Sequence, residues 1–350
     1  MSILPQPKIR VLIVDDSTSI RTLIRGILSA DPAIEVVGMA ADGIEAVEKA
    51  ESLKPDVITL DVEMPRMDGI TALRKIMAKA PGTRVIMLSS LTQEGAKITF
   101  EALEAGAFDY ISKSAAKGFE AETLAKVKES AHSRFGRATA PPARSVAAPP
   151  LQAAVRGKKI SYVGIGASTG GPIALQEVLA QIPANFPYGI LVAIHMPKTF
   201  TGTYAERING KCAITVREAV DGELLRPGVA LIAPGGMHVT LARQASGLAV
   251  KTEPVANYPK HVFVPSIDVM MSSMAEMSGG AMAGVILTGM GNDGLKGMQL
   301  LKQKGGTTIV QDEATSVIYG MPRACVEAGV ADVVLPLGRI GAEIARLGGG

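Results

Sequence analysis

The segment Ile160–Gln176, ISYVGIGASTGGPIALQ, sets one serine among glycines in the pattern Gly166-Ala167-Ser168-Thr169-Gly170. An apolar run precedes it, and Pro172 opens a helix-like stretch after it. Strand, Gly-x-Ser-x-Gly, helix is the layout of a nucleophile elbow, where a sharp turn lifts the serine hydroxyl clear of the sheet. Backbone N–H groups at the helix N-terminus can then meet an oxyanion. The chemistry of such a residue is acyl transfer, with Ser168 attacking a carbonyl carbon. For the loop taken alone, a phosphate-binding turn and a plain turn stay open as well. As a dinucleotide fingerprint the segment is imperfect. Thr169 stands where the third glycine belongs, and the next apolar run, GILVAIHMP, carries His195 and no acid.

A serine nucleophile needs a base and a group that orients the base. Three histidines follow the serine: His195, His238 and His261. His195 closes the strand after the elbow helix, which predicts its ring at the same sheet edge as Ser168. His238 follows the turn APGGM and enters a hairpin, and His261 sits in the loop YPKHVFVP. Among the acids, Asp293 lies in GMGNDG, at the end of the buried-strand run GAMAGVILTGM. An equally simple reading makes Asp293 the N-cap of the next helix. Asp268, just after Pro265-Ser266, and Asp312, in QDEATS, are weaker candidates.

A second constellation lies nearer the N-terminus. Asp15 and Asp16 close the run IRVLIVDD, Asp61 closes DVITLDV, Ser89 closes RVIMLSS and Lys113 closes AFDYISK. Three carboxylates at one sheet edge repel one another unless a cation sits among them. Hard oxygen ligands suit Mg²⁺, which keeps several of its waters. Lys113 adds a second positive charge, and the Ser89 hydroxyl can bond an anion that arrives later. Helix capping by Asp16 or Ser17 explains one of these residues and not the set.

The elements that must position these groups alternate strand and helix. Residues 8–133 read as five βα units, which predicts a parallel sheet covered by helices on both faces, with function at the carboxyl ends of the strands. Residues 159–350 alternate again, which predicts a doubly wound, mostly parallel α/β domain. An antiparallel portion is expected around the hairpin HVTLARQASGLAVKTE, with its turn at Gln244–Gly247. Residues 134–158 are rich in Ala, Pro and Arg, show no amphipathic period and read as a linker. A length of 350 residues fits two domains.

Composition excludes several function classes. A net charge of +3 demands neither nucleic acid nor an anionic membrane, and 4% aromatics without tryptophan leave no base-stacking platform. Cys212 and Cys325 form no CxxC pair, which points to a reducing compartment. The start MSILPQPKIRVLIVDD lacks the features of a signal peptide. The longest stretch free of charged residues, Val178–Pro197, is broken by Gln181, Pro183, Asn185 and Pro187, so no membrane insertion is expected. These features predict a cytoplasmic protein.

Residues 8–133 resemble the receiver domain of response regulators. The resemblance implies that Asp61 accepts a phosphoryl group from a histidine-kinase partner. It implies that Asp15, Asp16 and Asp61 hold Mg²⁺, with the Glu63 backbone carbonyl completing the site, and that Ser89 and Lys113 sense the phosphate. Ser114 departs from that family's pattern, which usually has proline there.

The later motifs GASTGG, AIHMP, APGG-x-H, PS-x-D, TGMG-x-DG and YGMPR occur in the order found in chemotaxis protein-glutamate methylesterases, the CheB family. The receiver, linker and esterase arrangement is similar over essentially the whole chain. This resemblance implies Ser168 as nucleophile, His195 as base and Asp293 as orienting acid. The Met290 backbone N–H would contribute to the oxyanion hole, with Thr169 beside the nucleophile, and ester hydrolysis would need no cofactor. The implied substrates are glutamate γ-methyl esters, and glutamines, on the cytoplasmic helices of chemoreceptors. Val264 stands where many relatives have arginine. Two rivals come from other classes. A non-catalytic docking module would be favoured by loss of the serine or histidine, and both are present. A nucleotide-binding regulator is disfavoured by the missing acid after the second strand.

Overall fold

The computed structural model describes residues 7–113, 118–133 and 160–348. Ser114 and the linker at 134–158 lie outside the described residues. The chain divides into two compact units, Met1–Pro142 and Ala143–Gly350.

The first unit runs β1 (Ile9–Val14), α1 (Thr18–Ser29), β2 (Ile34–Ala40), α2 (Gly43–Leu53), β3 (Val57–Asp61), α3 (Gly69–Lys79), β4 (Arg84–Ser89), α4 (Gln93–Glu104), β5 (Asp109–Ser112) and α5 (Phe119–His132). The strands pair in the order β2-β1-β3-β4-β5, all parallel. The central strands are covered on both faces, which is why they read as unbroken apolar runs. Ile13, Ile24, Leu28, Ile86, Ile111 and Val127 belong to the core between sheet and helices. The strand order reverses between β1 and β3, and a crevice opens at the carboxyl ends of strands at such a point. Asp15 follows β1, and Asp61 is the last residue of β3. Capping of α1 falls to Ser17, whose hydroxyl accepts from the Ile20 N–H, and not to Asp16.

The second unit runs β6 (Tyr162–Ala167), α6 (Gly171–Ala180), β7 (Gly189–Ile194), α7 (Lys198–Asn209), β8 (Thr215–Glu218), β9 (Val229–Ile232), β10 (His238–Gln244), β11 (Gly247–Glu253), α8 (Ile267–Met277), β12 (Met282–Ile286), α9 (Leu295–Gln303), β13 (Thr307–Gln311), α10 (Met321–Glu327), β14 (Val333–Leu335) and α11 (Leu337–Leu347). Seven strands pair in the order β14-β13-β12-β6-β7-β9-β8, again all parallel. Here the order reverses at β6, so β12, β6 and β7 are neighbours at the switch point.

The hairpin differs from expectation in one respect. Strands β10 and β11 form a sheet of their own and not an antiparallel edge of the large sheet. Their register pairs Gln244 with Gly247, which puts the turn where the sequence predicts it. The inner face of α8 packs into a core rich in methionine, including Met270, Met271, Met274, Met282, Met298 and Met321. Unbranched thioether side chains fill the irregular gaps between helix, hairpin and sheet. Helix α10 takes up only part of VIYGMPRACVEAG, a stretch whose composition reads as helical throughout. It starts at Met321, with Pro322 in its first turn, where a proline is tolerated. Among the described residues no helix is long and apolar enough to cross a membrane.

Candidate functional site

Ser168 follows β6 directly, and the turn behind it depends on Gly170. That residue has φ of 74°, in the left-handed region, and a side chain there would meet Val317 Cβ at 2.6 Å. The Ser168 N–H donates to the Thr288 carbonyl at 3.0 Å, and the Gly171 N–H donates to the Ser168 carbonyl at 2.6 Å. Thr288 is itself anchored. Its N–H donates to Gln311 Oε1 at 2.7 Å and its hydroxyl to the Thr169 carbonyl at 3.0 Å. The next residue must be small, because a Cβ on Gly289 would lie 2.7 Å from Ser168 Cβ. The segment leading to Met290 therefore passes directly beside Ser168, and Thr169 is buried next to it.

His195 follows β7, and its N–H donates to the Ala167 carbonyl at 3.2 Å, which ties it to the end of β6. Its Nδ1 lies 3.0 Å from Ser168 Oγ and its Nε2 lies 2.9 Å from Asp293 Oδ2. An ionised carboxylate only accepts, so Nε2 carries the proton and Nδ1 is left to accept from the serine hydroxyl. The imidazole is only 9% exposed. The three side chains come from segments following three adjacent strands, β6, β7 and β12.

Asp293 is not the N-cap of α9, whose cap residue is Gly294 with no side-chain bond. It faces the N-terminus of α8 instead. Oδ1 accepts from the Asp268 N–H at 2.9 Å and the Ser266 hydroxyl at 3.0 Å, and Oδ2 accepts from the Ile267 N–H at 2.8 Å. Burial pushes the carboxyl up, but hydrogen bonds from His195 and from the α8 backbone outweigh burial and hold it below the usual carboxylate value. Asp293 is thus a fixed anion beside His195.

The other candidates fall outside the triad. Asp268 accepts from the Gly297 N–H at 3.1 Å, and burial raises its pKa. Asp312 closes a turn, accepting from the Thr315 N–H at 3.0 Å and hydroxyl at 2.6 Å. His238 is fully buried, and its Nδ1 accepts from the Ser266 N–H at 3.1 Å. Burial pushes its pKa down, so it serves as a neutral structural ring. His261 Nδ1 lies 3.0 Å from Ser266 Oγ.

At the switch point of the first unit, Lys113 Nζ lies 2.7 Å from both Asp15 Oδ2 and Asp61 Oδ1. Ligand atoms of Asp15, Asp16 and Asp61 all lie within 4.8 Å of one another. Burial, with the Asp15 charge adding to it, pushes the Asp61 carboxyl up to about 6 against the opposing pull of Lys113. A cavity of about 220 Å³ opens over the cluster, lined by Asp16, Asp61, Val62, Glu63, Ser90 and Lys113. An all-oxygen donor set of this charge suits a hard divalent cation such as Mg²⁺. Ser89 ends β4 as predicted, but its buried hydroxyl is turned toward α4. It lies 3.2 Å from the Gly95 carbonyl and accepts from Thr99 Oγ1 at 2.6 Å.

A family model described as CheB methylesterase matches residues 163–344, and one described as response regulator receiver domain matches residues 11–124. The chain belongs to the CheB methylesterase family. It is 59% identical over 357 residues to protein-glutamate methylesterase/protein-glutamine glutaminase 1 of Geobacter sulfurreducens, covering 98% of each chain. It is 58% identical over 351 residues to protein-glutamate methylesterase/protein-glutamine glutaminase 5 of Geobacter metallireducens, again covering 98% of each. Among solved structures it is similar to the CheB methylesterase catalytic domain of Thermotoga maritima. That match has a TM-score of 0.52 and 39% identity, and covers 54% of this chain and 99% of that one.

Two residues of this CheB-family site were not singled out from the sequence. The Phe263 ring stacks on the His195 imidazole, with centroids 4.2 Å apart and planes 7° from parallel. Ser266 bonds Asp293 and caps α8. A serine ahead of a helical run is readable as a cap. Nothing local in the sequence signals that its hydroxyl also reaches Asp293, or that a loop phenylalanine covers His195.

Proposed function

We propose that this chain is a phosphorylation-activated serine hydrolase that demethylates glutamate γ-methyl esters on chemoreceptors and deamidates receptor glutamines by the same route. The observation that carries the reading is the unbroken hydrogen-bonded line from Ser168 Oγ through His195 to Asp293, at the carboxyl edge of three adjacent strands. As Ser168 Oγ attacks the ester carbonyl, its proton passes to His195 Nδ1. The imidazolium so formed is stabilised by Asp293 across Nε2–H. The Met290 N–H, with Thr169 beside the nucleophile, receives the negative charge that develops on the carbonyl oxygen. His195 returns the proton to the departing oxygen, and methanol leaves. A water molecule, deprotonated by the same nitrogen, then attacks the acyl-serine and releases glutamate. With a glutamine side chain the leaving group is ammonia. No cofactor enters these steps.

Residues 8–133 act as the receiver, 134–158 as the linker and 159–350 as the esterase. Asp61 is the phosphoacceptor, and a histidine kinase is the donor. Asp15, Asp16, Asp61 and the Glu63 carbonyl would hold Mg²⁺, which when bound offsets charge on the incoming phosphoryl group. Lys113, already between Asp15 and Asp61, pairs with the phosphate, and Ser89 reaches it by turning away from Gly95 and Thr99. The protein works in the cytoplasm on the receptors' cytoplasmic helices, without nucleic acid and without entering the membrane.

Methanol release from a methylated chemoreceptor preparation tests the reading directly. Wild-type protein with a phosphodonor and Mg²⁺ should release methanol, and Ser168→Ala should not. Receptor binding by folded wild-type protein without any methanol release would return the chain to the class of docking modules.

A further inference from the structure

Asp293 receives four hydrogen bonds, and only one of them besides that from His195 comes from a side chain among the described residues. That bond is the Ser266 hydroxyl, 3.0 Å from Oδ1. Ser266 is 1% exposed, so water does not compete for the hydroxyl.

A serine hydroxyl has one proton to give. Two acceptors are candidates for it: Asp293 Oδ1 at 3.0 Å and His261 Nδ1 at 3.0 Å. The carboxylate is ionised, and bonds to an ionised acceptor are the stronger ones. The proton therefore goes to Asp293, and His261 donates to Ser266 Oγ through Nδ1–H. The helix-capping bond at the same oxygen is stretched, with the Val269 N–H at 3.4 Å, outside the usual 2.7–3.2 Å range for N–H···O. The Ser266 backbone is fixed as well, because its N–H donates to buried His238 Nδ1 at 3.1 Å. The hydroxyl thus serves the carboxylate more closely than it serves the helix.

We propose that Ser266 is a positioning residue of the triad, whose hydroxyl, oriented by His261, fixes the Asp293 carboxylate that in turn orients His195. The proposal rests on the triad reading given above. It connects the line Ser168–His195–Asp293 to Ser266 and His261, and so to the loop that also carries Phe263. The titratable groups facing Asp293 are His195, His238 and Asp268, with His261 one residue further out.

Losing the hydroxyl leaves a carboxylate with fewer donors and more rotational freedom. The less compensated anion attracts the imidazolium more strongly, so His195 gives up its proton at higher pH. The looser carboxylate holds the imidazole less well, which lowers kcat. Ser266 is not placed to touch substrate, so KM should change little.

The test compares Ser266→Ala, Ser266→Gly and Ser266→Thr in the full-length protein, with His195→Ala alongside and thermal melts to verify folding. Glycine starts a helix almost as well as serine, so Ser266→Gly separates the lost donor from a lost cap. We expect kcat for methyl-ester hydrolysis to fall on the order of tenfold in the Ala and Gly variants, the scale of one lost charge-assisted hydrogen bond. The acidic limb of the kcat/KM profile should move to higher pH in both, and Ser266→Thr should restore both kcat and the limb. A folded Ser266→Gly with wild-type kcat and an unmoved acidic limb overturns the proposal, as does a folded Ser266→Thr that restores neither. Activity retained in His195→Ala would overturn the triad reading itself, a result distinct from an inactive His195→Ala beside a fully active Ser266→Gly.

Discussion

At the scale of single residues, the site divides labour between a proton carrier and its supports. In the proposed mechanism Ser168 and His195 exchange the proton, so they act as one unit. Ser168→Ala and His195→Ala should each remove nearly all methanol release while the fold stays intact, and the double variant should be little worse than either single one. Near-wild-type release from Ser168→Ala would place the nucleophile elsewhere. Asp293→Asn is different in kind, because in the proposed mechanism Asp293 orients and does not transfer. The amide oxygen can still accept from the α8 N–H groups, but the amide can also donate to His195 and favour the wrong tautomer. Damage with more residual activity than Ser168→Ala is the expected outcome in the same assay. Phe263 supports the ring from its face, at 4.2 Å between centroids. Removing that face in Phe263→Ala should lower kcat roughly two- to tenfold, the scale of an aromatic stacking contact, and Phe263→Tyr should retain the rate. Equal rates for Phe263→Ala and wild type would show that the stack does not hold the imidazole.

At the scale of elements, what was legible in the sequence follows from burial. Strands covered on both faces must be apolar throughout, so β1, β3, β4, β6, β7 and β12 announce themselves, and the residues just past them announce the two sites. Strand β8, TVRE, is short, polar and half-exposed at the sheet edge, and no apolar run marks it. Helices α7 and α11 also escape a reading that begins from apolar runs, because only one face of each is buried. The parts of the site that the sequence hides are those made by distant segments meeting: the seating of Asp293 on the N-terminus of α8, and Phe263 over His195. The direction of the Ser89 hydroxyl is hidden for the same reason, since it depends on the packing of α4. Helix α5 offers a test of burial by itself. Among the described residues Glu129 Oε2 is buried without a hydrogen-bond partner, and burial, with the Asp109 charge adding to it, pushes this carboxyl from 4.5 up to about 7 against the pull of Lys126. Between those two pH values the folded chain holds a proton that the unfolded chain has lost. Stability from this group therefore falls as pH rises through that window, and above it the ionised form is a constant burden. Glu129→Gln should raise the melting temperature at pH 8, with the gain shrinking as pH falls from about 7 toward 4.5. A gain that stays constant across this range would mean that the carboxyl is not shifted.

At the scale of the whole molecule, Asp61 and the triad belong to separate units, each with its own sheet and its own core. In the proposed reading, phosphorylation acts by shifting a population between a restrained and an active esterase, and the esterase site itself is not rebuilt. Such a shift needs only a few kcal/mol of bias between the two states. The esterase unit carries its complete Ser168–His195–Asp293 line within itself, and an isolated catalytic domain from Thermotoga maritima matches it along 99% of that chain. A fragment spanning residues 158–350 should then hydrolyse receptor methyl esters faster than the unphosphorylated full-length chain, and should be indifferent to phosphodonor. The full-length chain should rise to the fragment's rate when Asp61 is phosphorylated with Mg²⁺ present. Asp61→Asn, or chelation of the metal, should hold it at the basal rate. A full-length rate above the fragment's would show that the receiver also activates, beyond lifting its own restraint. A fragment no faster than the unphosphorylated chain would eliminate restraint altogether and leave activation as the receiver's whole contribution, with the rate of methanol release deciding between the two.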